Sequence, residues 1–292
     1  GIYTYGVSVS LTDVVVRDNI ASRSGGGVAT NSLVEVVNSE ILNNTAGEDG
    51  GGLNVAQINI IDSVVANNTA GYSGGGIHAG RGIIENSSII DNVAQSGSGG
   101  GVYLVDSEIG SGNILRNVEL SSNRAGEAGG GLYQSSTQAQ LHIMDSAVTD
   151  NVTTGAGGGI FTWGNLRLEA AEVSRNQAQG SGGGILSTEQ PRVDVRDSLI
   201  EANTSGTSGG GLFVMGSAAL TDTLVRANQA AQHGGGIAQP DTYRGASNVV
   251  ALERSIIEHN HALAGSGGGL HVLDRAVINR SLILENQTGG DG

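Results

Sequence analysis

The sequence predicts an all-β fold, a right-handed, single-stranded parallel β-helix (solenoid) of about 11 coils with roughly 25 residues each. Three observations predict it. The triplet Gly-Gly-Gly occurs ten times in the 292 residues, and an aliphatic residue follows every copy. An asparagine stands six or seven residues before each triplet. Aliphatic residues also recur at fixed distances before each asparagine, so the repeat extends over the whole chain.

The asparagines define the register of the repeat. In every copy the residues eight and three positions earlier are aliphatic, and the residue two positions later is Ala, Ser or Thr. This alternation predicts short strands separated by turns, and the glycines argue against helices. The predicted ladder consists of Asn19, Asn44, Asn68, Asn92, Asn123, Asn151, Asn176, Asn203, Asn228, Asn260 and Asn286.

Stacking of successive coils is the expected consequence of this register. Neighbouring strands lie about 4.8 Å apart, so like residues should stack directly over one another, with the aliphatic residues inside. We expect each ladder asparagine to occupy a left-handed turn and to bond its amide to the asparagine of the next coil. The glycine triplet is expected at a corner whose backbone angles exclude residues with a Cβ.

Composition excludes several classes of function. The hydrophobic share of 38% is enough for a core, whereas the 28 acidic residues against 14 arginines give a net charge of −14. Such a chain is not expected to bind nucleic acid or an anionic membrane by charge. Without Lys or Cys it has no Schiff-base lysine, no thiolate nucleophile and no cysteine-ligated metal. No apolar run approaches the length of a membrane helix, and we expect no cofactor and no metal.

A family resemblance follows from two stretches of the repeat. Residues 62–70 (DSVVANNTA) and 99–103 (GGGVY) resemble the glycine-rich right-handed β-helix repeats of large secreted bacterial surface proteins. They are also similar to the repeat of the chlamydial polymorphic outer-membrane proteins, which pairs Gly-Gly-Ala-[Ile/Leu/Val] with Phe-x-x-Asn. The resemblance spans the whole chain. It implies an extracellular location, surface display and adhesion, and it supplies no catalytic motif.

Four coils are longer than the others between the triplet and the next aliphatic position. The extra residues predict loops at 105–112, 134–140, 187–192 and 239–248, all on the same edge of the rod. Insertions in a solenoid often mark its binding face, although tolerated surface variation would give the same pattern.

An apolar stripe is predicted on the outer surface. The residue two positions after each triplet should point outward, and Trp163 follows two residues later along one of the same strands. Exposed rings of this kind stack on sugars or contact a protein partner, unless the long loops fold back over them. The candidate binding or interface residues are Tyr103, Tyr133, Phe161, Trp163, Leu186 and Phe213.

Polar residues form a second predicted group, on another outer sheet and three coils deep. It combines Gln140 and His142 with the segments 165–169 and 192–196. Arginine, histidine and carboxylates in this arrangement could bind uronic acids and move a proton, with His142, Arg167 and Asp194 as weak catalytic candidates. Opposite charges on neighbouring strands could equally neutralise one another.

The predicted molecule is a single domain, 1–292, without a polar cap at either end. It is expected to be an excerpt of a longer rod or a subunit that stacks head to tail. The sequence therefore favours an extracellular structural or adhesive solenoid, part of a cell-surface protein or a filament, over an enzyme. Its partners would be further copies of itself, or a glycan or protein of a host or cell surface. An acidic-polysaccharide lyase or hydrolase and a non-catalytic glycan-binding module are the alternatives.

Overall fold

The computed structural model describes residues 1–105, 112–188, 192–240 and 248–292. In these ranges every regular element is a β-strand, and every strand pairing is parallel. The strands form three sheets of 19, 11 and 11 strands, and the chain passes through all three in each coil. The predicted all-β solenoid of about 11 coils with a repeat of roughly 25 residues is confirmed.

Sheet 1 follows the glycine triplets and has two halves. In three coils one long strand covers both halves, whereas elsewhere a break divides it into two strands. The long strands are Val28–Val37, Leu53–Ile61 and Ile77–Glu85. The strands of the first half are Ile2–Tyr3, Val102–Leu104, Leu132–Gln134, Ile160–Thr162, Ile185–Ser187, Leu212–Val214, Ile237–Gln239 and Leu270–Val272. The strands of the second half are Val9–Thr12, Gly112–Arg116, Gln140–Met144, Asn165–Glu169, Arg192–Arg196, Ser217–Thr221, Val249–Glu253 and Arg275–Asn279.

Sheets 2 and 3 contain one short strand from each coil. Sheet 2 consists of Val15–Arg17, Glu40–Leu42, Val64–Ala66, Ser88–Ile90, Glu119–Ser121, Ala147–Thr149, Glu172–Ser174, Leu199–Glu201, Leu224–Arg226, Ile256–Glu258 and Leu282–Leu284. Sheet 3, directly after the ladder asparagines, consists of Ile20–Ala21, Thr45–Ala46, Thr69–Ala70, Val93–Ala94, Arg124–Ala125, Val152–Thr153, Gln177–Ala178, Thr204–Ser205, Gln229–Ala230, His261–Ala262 and Gln287–Thr288.

The core is a set of aliphatic columns that run through the coils. Val148 pairs with Leu120 below and Val173 above, and all three side chains are fully buried. The equivalent position of the last coil, Ile283, is 44% exposed because no coil of the described structure covers it. The predicted internal stacking of aliphatic residues is therefore confirmed, and each coil buries the apolar side of its neighbour.

The turn before sheet 3 differs from the prediction. The residue with the left-handed backbone directly precedes the ladder asparagine and is not the asparagine itself. This preceding position carries Asp, Asn, Ser, Arg, Ala, His or Glu, with φ between 50° and 58°. The difference has a physical reason, because the left-handed residue turns its side chain outward, whereas the asparagine side chain must point inward to reach the next coil.

The glycines of each triplet are required for two different reasons, whereas the sequence predicted only one. Only the first glycine of each triplet has a positive φ, between 61° and 72°. The other two are required by close approach. A Cβ on Gly130 would lie 2.4 Å from the carbonyl oxygen of Gly158, and one on Gly131 would lie 2.7 Å from that of Gly159. Backbones at this corner are thus too close for any side chain.

Candidate functional surface

The asparagine ladder is the most regular feature of the molecule. Asn123 donates from Nδ2 to Asn151 Oδ1 at 3.0 Å and to the carbonyl oxygen of Ile89 at 2.9 Å. The backbone N–H of Asn123 bonds the same Oδ1 at 2.9 Å. This pattern repeats along the rod, and nine of the asparagines are fully buried. The ladder predicted from the register is confirmed, and every amide group in it has its partners.

A hydroxyl ladder, which was not predicted from the sequence, lies at the turn between sheets 1 and 2. The Oγ of Ser63 donates to the carbonyl of Ile61 at 2.7 Å and accepts the backbone N–H of Ser39 at 3.0 Å. These residues stand five positions before a ladder asparagine, so the register contained the signal. The equivalent hydroxyl residues are Ser39, Ser63, Ser87, Ser146, Ser198, Thr223, Ser255 and Ser281.

Aromatic rings form a column on the outer face of the first half of sheet 1. The rings of Tyr103, Tyr133 and Phe161 are stacked with centroids 4.9 Å apart at each step. The indole Nε1 of Trp163 donates to the hydroxyl of Tyr133 at 2.8 Å. The predicted stripe therefore exists, and the coil spacing itself sets the distance between its rings.

The exposure expected for this stripe is wrong for half of its members. Phe161, Leu186 and Phe213 are 8%, 4% and 9% exposed, so they form a second apolar cluster outside the β-helix. Ala128 and Ala238 belong to the same cluster, and Tyr133, Trp163 and Met215 pack against it. Tyr103, Tyr133 and Trp163 are half-buried. Most ring faces contact each other, so they are not free to stack on a sugar.

A histidine extends the ring column at its early end, and a separate histidine pair lies near the other end of the rod; neither was predicted from the sequence. His78 stacks on Tyr103 with centroids 5.0 Å apart, and its Nδ1 lies 3.1 Å from Asn54 Oδ1. Burial lowers the pKa of His78, while the charge of Asp49 opposes the shift. Near the other end His271 stacks on His233 at 4.5 Å, and burial together with His233 lowers the pKa of His271. The sequence contained a signal for His78 and His271, because each stands two positions after a glycine triplet, where the other rings of the column stand.

The predicted polar group is brought together, but not on another sheet. His142, Arg167 and Asp194 are direct neighbours on three successive strands in the second half of sheet 1. The prediction of a separate sheet is wrong because the long strands of the early coils join both halves. The stripe and the polar group therefore share one outer face. They lie on the two sides of the line where the predicted loops interrupt sheet 1.

Ion pairs occupy most of the charged groups in this cluster. Arg167 bonds Glu169 at 2.9 Å, and Arg192 bonds Asp194 at 3.0 Å. His142 Nε2 lies 3.5 Å from Glu169 Oε2 but makes no hydrogen bond within the described residues. His142, Arg167, Arg192 and Asp194 line an open groove of about 320 Å³ together with Gln140 and Asn165. The groove has the groups for acid–base chemistry, but the carboxylate nearest to His142 is held by arginine rather than orienting the imidazole.

The four predicted loops coincide with breaks of sheet 1. Residues 134–140 connect Leu132–Gln134 to Gln140–Met144, as expected. The central parts of the other three loops, residues 106–111, 189–191 and 241–247, lie outside the described residues. The strands that flank all four loops belong to sheet 1, which places their ends on one face of the rod.

Comparison with known proteins gives no relatives: no family model, no curated protein and no solved structure matches the chain. Among the described residues no helix is long and apolar enough to cross a membrane. No group of three or more potential metal ligands occurs in the same ranges. The functional argument therefore depends on the surfaces described above.

Proposed function

We propose that the chain is an extracellular structural or adhesive β-solenoid, part of a cell-surface protein or of a filament. The observation that carries the proposal is the asparagine ladder, in which side-chain bonds connect successive coils from Asn19 to Asn286. Such bonds, together with three parallel sheets, favour a stiff rod that holds its outer face in a fixed geometry. Eleven coils give a length on the order of 50 Å.

The charged side chains on the surface support a structural role rather than a catalytic one. Charged side chains pair between neighbouring coils, for example Arg175 with Asp150 at 2.9 Å and Arg254 with Asp222 at 2.7 Å. Pairs of this kind are weak individually, but they add contacts along the rod axis. The resemblance to bacterial surface repeats favours the same function and the same extracellular location.

Adhesion is tested with beads coated with the folded chain. We expect the beads to attach to cell surfaces or to a panel of matrix proteins and glycans, because a rigid displayed face loses little entropy on binding. Beads coated with heat-unfolded chain are the matched control. Attachment that is absent, or that is equal for folded and unfolded chain, contradicts the adhesive function.

Assembly into a filament is tested separately by light scattering over a range of protein concentrations. Head-to-tail stacking would continue the parallel strand pairing from one copy to the next, so the mass should rise with concentration. A constant monomer mass throughout contradicts self-assembly and leaves the adhesive role to the bead experiment.

The groove around His142 favours a second candidate, an acidic-polysaccharide lyase or hydrolase. His142, Arg167 and Asp194 lie on three neighbouring strands, beside the amides of Gln140 and Asn165 and the guanidinium of Arg192. Incubation with polygalacturonate and alginate, followed by reducing-end and ultraviolet assays, tests this activity. Cleavage that His142→Ala abolishes would replace the structural proposal with the enzymatic one.

A further inference from the structure

We propose that a trough on the outer face of sheet 1, between Tyr3, Tyr5 and His78, binds the flat face of a neutral sugar ring. The inference deepens the adhesive function proposed above and rests on it. It moves glycan recognition away from the predicted stripe, whose rings largely cover one another, to the early coils, where Tyr3, Tyr5 and His78 line an open volume.

The trough arises from a gap in the ring column. His78 and the rings after it stack at intervals of 4.9–5.0 Å, one per coil. In the two preceding coils the same position holds Ala29 and Asn54, and then comes Tyr3, which pairs with Ala29. Two coils without a ring leave an open volume of about 450 Å³ between aromatic groups.

The walls and the floor of the trough have the shape that a flat ring requires. Tyr3 and Tyr5 line this volume together with His78, so the sides of their rings turned toward it are open to a ligand. Small side chains or none, at Ala29, Ala56 and Gly80, form the floor. An aromatic face beside a shallow apolar floor suits the C–H face of a pyranose, which buries apolar surface while its hydroxyls stay at the rim.

Unpaired donors and an acceptor lie among these residues. The Oδ1 of Asn31 accepts the backbone N–H of Gly6 at 2.5 Å, and the Oδ1 of Asn54 is 3.1 Å from His78 Nδ1. Neither amide NH₂ group has a hydrogen-bond partner in the part of the chain that the structure describes, so both can donate to a ligand. Because an amide oxygen only accepts, His78 Nδ1 carries the proton and Nε2 is left as an acceptor. Two donors and one acceptor match the hydroxyl groups of a sugar.

The absence of charge in the trough favours a neutral ligand. Its described lining contains no Asp, Glu or Arg, although the chain as a whole has 28 acidic residues and 14 arginines. A uronic acid would find no cation there, and its carboxylate would approach a protein of net charge −14. An aromatic peptide is disfavoured because the shallow floor offers no deep pocket for a side chain.

The experiment measures binding of the full chain to immobilised cellohexaose, maltohexaose, mannohexaose and chitohexaose, with polygalacturonate as the anionic comparison. We expect at least one neutral glycan to bind and polygalacturonate not to bind. Tyr5→Ala should weaken binding about tenfold, because the ring face is lost. Ala56→Leu should weaken it at least as much by filling the floor, and Tyr72→Ala, an exposed tyrosine outside the trough, should leave it unchanged.

Three results would overturn the inference. They are no binding to any neutral glycan, binding that Tyr5→Ala and Ala56→Leu leave unchanged, and full competition by a tyrosine-rich peptide. Circular dichroism of each variant confirms that the β-helix is intact. Failure here is distinguishable from failure of the adhesive function, since beads coated with Tyr5→Ala would still attach to cells if adhesion uses another surface.

Discussion

Single residues in this molecule act through columns rather than alone. A buried asparagine amide would be costly without partners, but here each amide bonds the coils on both sides of it. The same residue type on the exposed turns has no comparable effect, because water satisfies its polar atoms. Position in the repeat, and not residue identity, therefore decides how much an asparagine contributes.

Replacement of one ladder asparagine tests this dependence. Asn123→Ala removes partners of Asn92, Asn151 and the carbonyl of Ile89, and we expect it to lower the free energy of unfolding by about 2–5 kcal/mol. The matched control is Asn59→Ala, a half-buried residue of sheet 1 whose side chain makes no hydrogen bond to a described residue, with an expected change within about 0.5 kcal/mol. Urea denaturation measures both, and equal effects of the two changes would contradict the role of the ladder.

Protonation of His78 gives a prediction about pH. Burial holds its pKa below the ordinary value of 6.5, so the unfolded chain binds more protons between the two pKa values. Stability should therefore fall as the pH decreases from about 7 through this window. His78→Phe keeps the stacking on Tyr103 but cannot titrate, so thermal unfolding from pH 7 to pH 5 should show a smaller loss. An unchanged loss would exclude His78 as its source.

At the scale of the strand and the turn, much of the structure could be predicted from sequence. Coil length, strand positions and the inward columns follow from the register, because one coil must repeat the next for both to be buried. The backbone at the corners could not be predicted in detail. The pattern shows glycine at three positions but does not distinguish a left-handed residue such as Gly129 from a close approach such as Gly131.

Substitution of single glycines by alanine distinguishes the crowded positions at the corner from an open position. Gly131→Ala would place a Cβ 2.7 Å from Gly159 O and 3.0 Å from Asn151 Cγ. We expect it to cost about 1–3 kcal/mol, because two neighbouring coils must move apart. Gly112→Ala, where no atom of the described residues lies within 4 Å, should be neutral or slightly stabilising. Thermal denaturation compares the two, and a harmless Gly131→Ala would contradict the close approach.

The candidate site was only partly predictable for a related reason. Alternation along a strand correctly places Tyr133 and Phe161 outside the β-helix, but it does not reveal which outer residues cover each other. Burial of Phe161 depends on neighbours in space, such as Ala128 from the corner and Trp163 after the strand. Similarly, the gap at Ala29 and Asn54 becomes visible only when the columns are compared coil by coil.

Tyr133 provides a test of the outer column. Tyr133→Phe keeps the stacked ring but removes the acceptor for Trp163 Nε1, so we expect a loss of about 0.5–1.5 kcal/mol. Since Trp163 is the only tryptophan, its fluorescence should change as well. The matched change Tyr72→Phe, at an exposed turn, should alter neither quantity. Unchanged tryptophan fluorescence in Tyr133→Phe would contradict the hydrogen bond.

The whole molecule is a one-dimensional assembly in which each coil contacts its neighbours. In such a rod the residues of a regular outer column cover one another. A binding surface is therefore expected where a column is interrupted. The ring column is interrupted at the trough, and sheet 1 is interrupted where the loops leave. Both features lie on one face, which makes this face the one through which the rod would contact a partner.

Hydrogen exchange of the asparagine side chains, followed by NMR, tests the central claim most directly. If like residues stack coil over coil, the Nδ2 protons of the nine fully buried ladder asparagines should exchange as slowly as backbone amides of the sheets. Those of the exposed Asn43 and Asn67 should exchange rapidly. Ladder asparagines that exchange as fast as Asn67 would contradict the stacked β-helix.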